Sequence, residues 1–421
     1  MNAPIGPMRP EASPVTIRQD GLQVTGIGTA KPSTALFTAD ADLPGKPPAT
    51  AAEARSRAER IVVPVVVEQS NYGQTEREAL KPDEYHFYWR VNLVPIEKMV
   101  KENAVLVQPA LKALSDPQRK QFQALWNQTV DDIGARLSLQ LLLIEGTLTA
   151  QAPGEGNGTL LSHLEHLASP KVPLMKGLER AALICDMMQE IAFPSSISQR
   201  SKGTCTMTAV QMFMAKQRPA ELARIIGQLA AASEPVAPLA NGDVLRREPG
   251  TETDDESGRT VPSRLFQAAA MEYMDEVGDY DNALDRQRQP DGSLTAGGSG
   301  TKMARTLKGL LGPGYYVERL SSDQFESPKA MVAVIAESVS NGHPVAISLQ
   351  HLPALGEEIG SGHAVLMTGV TNNRLDYLNP WGKVESMSFD QLAETVVEAV
   401  FVNSNGPQAP VVALPTIPAG R

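Results

Sequence analysis

Cysteine occurs at only two positions, 185 and 205, and the second stands where chemistry is possible. A thiol is a strong nucleophile only as the thiolate, which a helix N-terminus, a cationic imidazole or both can hold. Lys202-Gly203-Thr204 reads as a turn and Cys205 to Lys216 (CTMTAVQMFMAK) as a helix, so the sulfur is expected at the positive end of a helix dipole. Six residues upstream, Gln199 carries an amide able to donate to the oxygen of a tetrahedral intermediate, beside the Cys205 backbone N–H. Of the six histidines, His363 opens an apolar strand directly after Gly-Ser-Gly, a rigid seat for a general base. Asn379, sixteen residues on in Asn379-Pro380-Trp381-Gly382, follows the next expected strand; a hairpin brings its amide oxygen beside the imidazole. Together these residues would perform acyl transfer through a thioester.

Taken singly, each has a plainer meaning. A cysteine at a helix start is usually inert packing, Asn-Pro-Trp-Gly can be a turn, and a glutamine is comfortable in a solvated loop. The combination points to catalysis. Cys185, inside AALICDMM, reads as a core residue, and His163 and His166 as the polar face of a helix with no metal expected. His343 and His351 sit at turn edges, in structural or substrate-contacting positions, and Met207, Met212 and Met214 read as helix packing.

The segment Gln199 to Ala209 (QRSKGTCTMTA) resembles the papain-like cysteine peptidase superfamily, which places a glutamine six residues before its nucleophile. His363-Ala364-Val365 resembles the histidine strand of that family, Asn379-Pro380-Trp381-Gly382 its Asn-Ser-Trp-Gly, and the order Cys, His, Asn is the same. The resemblance covers residues 191 to 401 and is that of a distant, bacterial-type member: Thr206 stands where the family has tryptophan, and disulfide cysteines are absent. It implies that Cys205 attacks, His363 shuttles the proton, Asn379 orients it, Gln199 completes the oxyanion hole and Trp381 shields the His–Asn contact. It also implies that Gly297 and Gly298 form a cleft wall approached by substrate backbone, and that no cofactor or metal takes part. The expected activity is peptide-bond hydrolysis on a protein or peptide substrate. The alternatives are a deamidase or transglutaminase with the same triad, and a catalytically silent binding protein.

The resemblance implies an α+β fold of papain-like type, and the residues fit it: a nucleophile helix packed on an antiparallel sheet that carries His363 and Asn379. Helices are expected over 159–168, 174–192, 205–216, 301–311 and 328–341, and closing strands at 344–349, 363–368 and 374–378. Upstream, 111–148 has helical spacing opened by Ser115-Asp116-Pro117, while 60–68 (RIVVPVVVE) and 84–93 (EYHFYWRVNL) read as strands. The implied organisation is a disordered segment 1–59, an accessory α/β region 60–157, a catalytic domain 158–405 with an exposed insertion at 231–261, and a flexible tail 406–421.

A chain of 421 residues, 42% hydrophobic, can bury a sizeable core. Its net charge of −10 offers no basic footprint for nucleic acid, and no run is apolar enough for membrane insertion. Two cysteines and no signal-like start suggest synthesis in the cytoplasm, with secretion by a non-classical or specialised route as one destination. Secretion machinery or an inhibitor are then candidate partners, as for an effector or toxin.

Overall fold

The computed structural model describes residues 47–62, 93–151, 158–350 and 362–403. Helices come first: α1 (Ala51–Val62), α2 (Leu93–Glu102), α3 (Ala104–Ala113), α4 (Asp116–Gln128), α5 (Ile133–Ile144), α6 (Leu160–Ala168) and α7 (Arg180–Ala192). Next are α8 (Cys205–Gln217) and α9 (Pro219–Leu229), a hairpin of β1 (Val236–Pro238) and β2 (Val244–Arg246), and α10 (Val261–Met274). A small sheet of β3 (Asp279–Asp281), β4 (Arg286–Arg288) and β5 (Leu294–Thr295) precedes α11 (Gly300–Leu311). The last part holds β6 (Tyr316–Ser321), α12 (Pro328–Ser340), β7 (Val345–Gln350), β8 (Gly362–Thr371), β9 (Arg374–Asn379), β10 (Lys383–Ser388), α13 (Phe389–Thr395) and β11 (Val396–Asn403).

The six long strands form one antiparallel sheet in the order β10-β9-β8-β7-β11-β6. Alternation along each strand loads both faces. On β7, Ala346 joins the core shared with the helices, whereas Val345, Ile347 and Leu349 join a second core built with α12 and α13. The sheet is therefore a middle layer. β8 and β9 meet at Asn372-Asn373, both at positive φ (50° and 60°), the left-handed pair a two-residue hairpin turn requires and asparagine tolerates.

Helix α8 runs through the centre. Every residue from Cys205 to Ala215 is buried, as expected of a helix whose faces are all covered: it packs on α7, α9, α10, α11 and the β7–β9 part of the sheet. The mixed α+β fold and the packing of the Cys205 helix on the strand that carries His363 agree with the sequence reading.

Several local expectations differ. Residues 51–62 form a helix, where a loose segment and the start of a strand were expected, because Ala54 and Ala58 supply a small apolar stripe against α2 and α5. Residues 93–151 share one core with α7 and α8, so they are no separate accessory unit: Leu137, Leu139, Leu141 and Leu142 of α5 lie in the same cluster as Met207 and Val210. The insertion 231–261 is exposed along much of its length, as expected, but it is anchored, with Ala237 and Leu245 wholly buried and Arg259 tied to Asp255 and Asn282. Helix α7 begins at Arg180, later than its apolar spacing suggested. The small sheet β3-β4-β5 and strands β10 and β11 were not anticipated, because polar residues outnumber apolar ones in most of these short runs. The expected strands at 63–68 and 84–92, the segment 1–46, His351 and the tail 406–421 lie outside the described residues. Among the described residues no helix is long and apolar enough to cross a membrane.

Candidate active site

Cys205 is the first residue of α8. Its N-cap, Thr204, makes no side-chain cap: the Thr204 hydroxyl instead donates to Gln267 Oε1 (2.9 Å), a wholly buried residue of α10. No side chain caps the first turn, and the main-chain N–H groups of Cys205 and Thr206 there favour the thiolate. The N–H of Ala364, the residue after His363 on β8, also favours the thiolate. Burial pushes the Cys205 thiol up, those three N–H groups act downward, and the Asp285 carboxylate adds a smaller upward effect.

His363 is buried at the start of β8, paired in register with Leu349. Its Nε2 lies 2.9 Å from Asn379 Oδ1. The Trp381 main-chain N–H donates to the same oxygen (3.2 Å), and the Trp381 ring stacks on the imidazole with centroids 4.3 Å apart and planes inclined by 24°. Asn379, at the end of β9, is wholly buried, and its Nδ2 donates to Glu385 Oε2 (2.9 Å). Gly382, at φ 78°, closes the Asn-Pro-Trp-Gly turn, its N–H donating to the Asn379 carbonyl (2.9 Å).

The loop before the nucleophile is bound to this turn. Ser198 and Trp381 form an isolated antiparallel bridge, and the Gln199 N–H donates to the Pro380 carbonyl (2.7 Å). Gln199 therefore stands beside the His–Asn turn as well as upstream of Cys205. Its side-chain Nε2 donates to the Lys202 carbonyl (2.8 Å), which leaves a single N–H for an oxyanion. Gln199 Oε1 and Thr206 Oγ1 are both buried and have no hydrogen-bond partner among the described residues. The Gly203 N–H donates to Asp285 Oδ2 (2.6 Å), and Tyr280 Oη donates to the other oxygen of that carboxylate (2.9 Å).

Gly297 and Gly298 line an open cleft of ≈ 370 Å³ together with Asp275, Gln289, Ser299 and Lys302. Gly298 abuts the nucleophile helix: a Cβ there would fall 2.6 Å from Thr206 Oγ1, so glycine is what lets this wall approach Cys205. Lys302 is engaged with Asp275 Oδ2 (2.6 Å) and Gln287 Oε1 (3.0 Å).

The structure thus gathers Cys205, His363, Asn379, Gln199 and Trp381 at one junction of α8, β8 and the turn after β9, with Gly297 and Gly298 across the first turn of α8. Cys185 is buried in α7, its thiol pushed up to about 12 by burial and the nearby Asp132 and Asp186 carboxylates. His343 lies in the turn after α12, where its main chain exchanges hydrogen bonds with Ser338. Among the described residues no group of three or more His, Cys, Asp or Glu is arranged to hold a metal ion. Sequence reasoning missed Glu385, Asp285 and the buried polar set of Thr204, Gln267, Gln211 and Glu190. Glu385 left one readable signal, an acidic residue at an inward position of the alternating run Lys383 to Ser388. No protein-family model, no curated protein and no solved structure matches this chain.

Proposed function

We propose that the protein is a papain-like cysteine peptidase that hydrolyses peptide bonds of a protein or peptide substrate through Cys205, His363 and Asn379. One observation carries the reading: an imidazole bonded at 2.9 Å to an asparagine oxygen and roofed by tryptophan, on a strand packed against the helix that begins with Cys205.

In this mechanism the Cys205 thiolate attacks the scissile carbonyl carbon, and the oxyanion takes hydrogen bonds from the Cys205 N–H and the remaining Gln199 side-chain N–H. The C–N bond breaks as the His363 imidazolium gives its proton to the leaving amine, leaving a thioester. His363 then takes a proton from water, whose oxygen attacks the acyl carbon. The C–S bond breaks, the acid leaves and the thiolate returns. Asn379 holds the ring in position throughout, and Trp381 keeps water from the His–Asn bond. The cleft bordered by Gly297 and Gly298 receives the substrate chain.

The test needs no known substrate. Iodoacetamide at low concentration near neutral pH is expected to alkylate Cys205 well before Cys185, and His363→Ala to slow that reaction. Exposing a proteome to the wild type and to Cys205→Ala, followed by terminal-peptide mass spectrometry, is expected to give new termini with the wild type alone. Equal alkylation of both cysteines with no Cys205-dependent termini overturns the proposal. A mass shift on glutamine side chains, or a cross-link, without new termini transfers the site to deamidation or transglutamination.

A further inference from the structure

Asparagine can present either its oxygen or its nitrogen to a histidine, and the two orientations select opposite imidazole tautomers. At Asn379 both neighbours select the same one. The Trp381 main-chain N–H can only donate, so the atom 3.2 Å from it is the oxygen. The Glu385 carboxylate accepts, so the atom 2.9 Å from its Oε2 is the nitrogen. With Oδ1 committed as acceptor, His363 Nε2 must carry the proton toward Asn379, and the neutral ring keeps its lone pair on Nδ1.

We infer that Glu385 is a positioning residue of the site, its carboxylate locking the Asn379 amide so that the neutral His363 ring carries its proton on Nε2 and acts as base through Nδ1. The inference rests on the reading that Cys205 and His363 are nucleophile and base. Glu385 is 1% exposed and belongs to the inward set Lys383, Glu385 and Met387 of β10, whose first member pairs in register with Asn379. Register therefore delivers a carboxylate diagonally across the strand pair to the carboxamide. Burying a carboxylate is costly, and a well-packed apolar residue commonly serves stability as well or better, so a role in orientation accounts for acid at this position.

The readout is the pH dependence of Cys205 alkylation by iodoacetamide in the full chain, with folding checked by circular dichroism and thermal unfolding. Glu385→Ala is expected to slow alkylation near neutral pH by about 10- to 100-fold, by analogy with the loss of an outer-shell residue that orients the ligands of a metal site. Glu385→Gln preserves shape and serves where the alanine variant does not fold; its amide can hold Asn379 either way round, so a smaller loss is expected. The decisive comparison uses Asn379→Asp. Alone, it sets a second carboxylate against Glu385 and is expected to be severely impaired. Combined with Glu385→Gln, whose Nε2 can donate to the new carboxylate, it is expected to recover several-fold. A purely structural Glu385 gives no such rescue. Wild-type alkylation across pH 5 to 8 in a folded Glu385→Ala chain, or a double variant no faster than Asn379→Asp, overturns the inference. Unchanged alkylation in His363→Ala defeats the underlying assignment of the base, and the role of Glu385 falls with it.

Discussion

At Cys205 opposing influences meet on one sulfur. Burial makes a lone thiolate costly, and Asp285 adds like charge, while three main-chain N–H groups favour the anion. A helix N-terminus alone thus does not make this thiol reactive; the imidazolium form of His363 supplies the remaining compensation in the mechanism proposed here. Asp285 has a double role, since its carboxylate also accepts from Gly203 N–H and anchors the loop that leads into the helix. Asparagine retains an acceptor for that bond and removes the charge. Asp285→Asn is therefore expected to shift the pH midpoint of Cys205 alkylation downward, in the direction opposite to the effect of Asp285. A midpoint that stays in place or rises in a folded variant contradicts this electrostatic account. Cys205, His363 and Asn379 were legible in the sequence because each stands beside strong local punctuation: a Gly-Thr turn, a Gly-Ser-Gly turn, and Asn-Pro-Trp-Gly. Glu385 and Asp285 were not, because their contacts with the site arise from cross-strand and cross-loop placement that spacing along the chain does not record.

Among the elements, α8 depends on polar support from its neighbours. Gln267 of α10 accepts from Thr204 and donates to Gln211 Oε1 (3.0 Å), and Gln211 of α8 donates to Glu190 of α7 (2.8 Å). Glu190 also accepts from Ser263 (2.6 Å) and Thr260, so a single carboxyl joins α7, α8 and α10. Burial raises its pKa, the Ser263 and Thr260 bonds partly oppose this and Asp186 adds to it, with the result pushed up to about 8. An unfolded glutamate titrates near 4.5, so the folded state holds the extra proton between these values. Stability from the neutral carboxyl is complete below the unfolded pKa and is lost as pH rises toward 8, by a few kcal/mol at most. Glu190→Gln keeps a neutral hydrogen-bonding group at every pH. Its melting temperature is expected to lose less than that of the wild type between pH 5 and pH 8, so that its relative stability grows by several degrees. A difference in melting temperature that is constant over this range contradicts the assignment. Helix spans over 301–311 and 328–341 were readable from their helical residues and flanking turns, and 205–216 from a helix-forming run after the Lys202-Gly203-Thr204 turn. This network was not, since Gln and Thr within apolar helices carry no sign of which partners they will meet.

On the scale of the whole molecule, the sequence suggested a catalytic domain that could be separated near Gly158, and the packing joins what that reading divided. The break at 153–158 is rich in glycine, as linkers are, yet the helices on either side of it meet in one core. Helix α5 packs on α7, which in turn packs on α8 and α10. Gln189 of α7 donates to Asp132 (2.9 Å), the residue whose side chain caps α5 by accepting from Ala135 N–H (2.8 Å). Arg55 of α1 pairs with Glu145 beyond the end of α5 (2.5 Å), and Gln140 of α5 donates to the Val100 carbonyl of α2 (3.0 Å). Removing residues 1–157 would strip from the shared core the leucines 137, 139, 141 and 142, each at most 1% exposed. Truncation of one such side chain to alanine typically costs about 2–5 kcal/mol, and an entire domain is stable by only about 5–15 kcal/mol. A chain beginning at Gly158 is therefore expected to be insoluble, or to lack a cooperative thermal transition, and to alkylate Cys205 and Cys185 without preference in denaturant-like fashion. If it instead unfolds cooperatively at the temperature of the full chain and retains selective alkylation of Cys205, the upstream helices are dispensable to the core and the domain boundary lies where the glycines suggested.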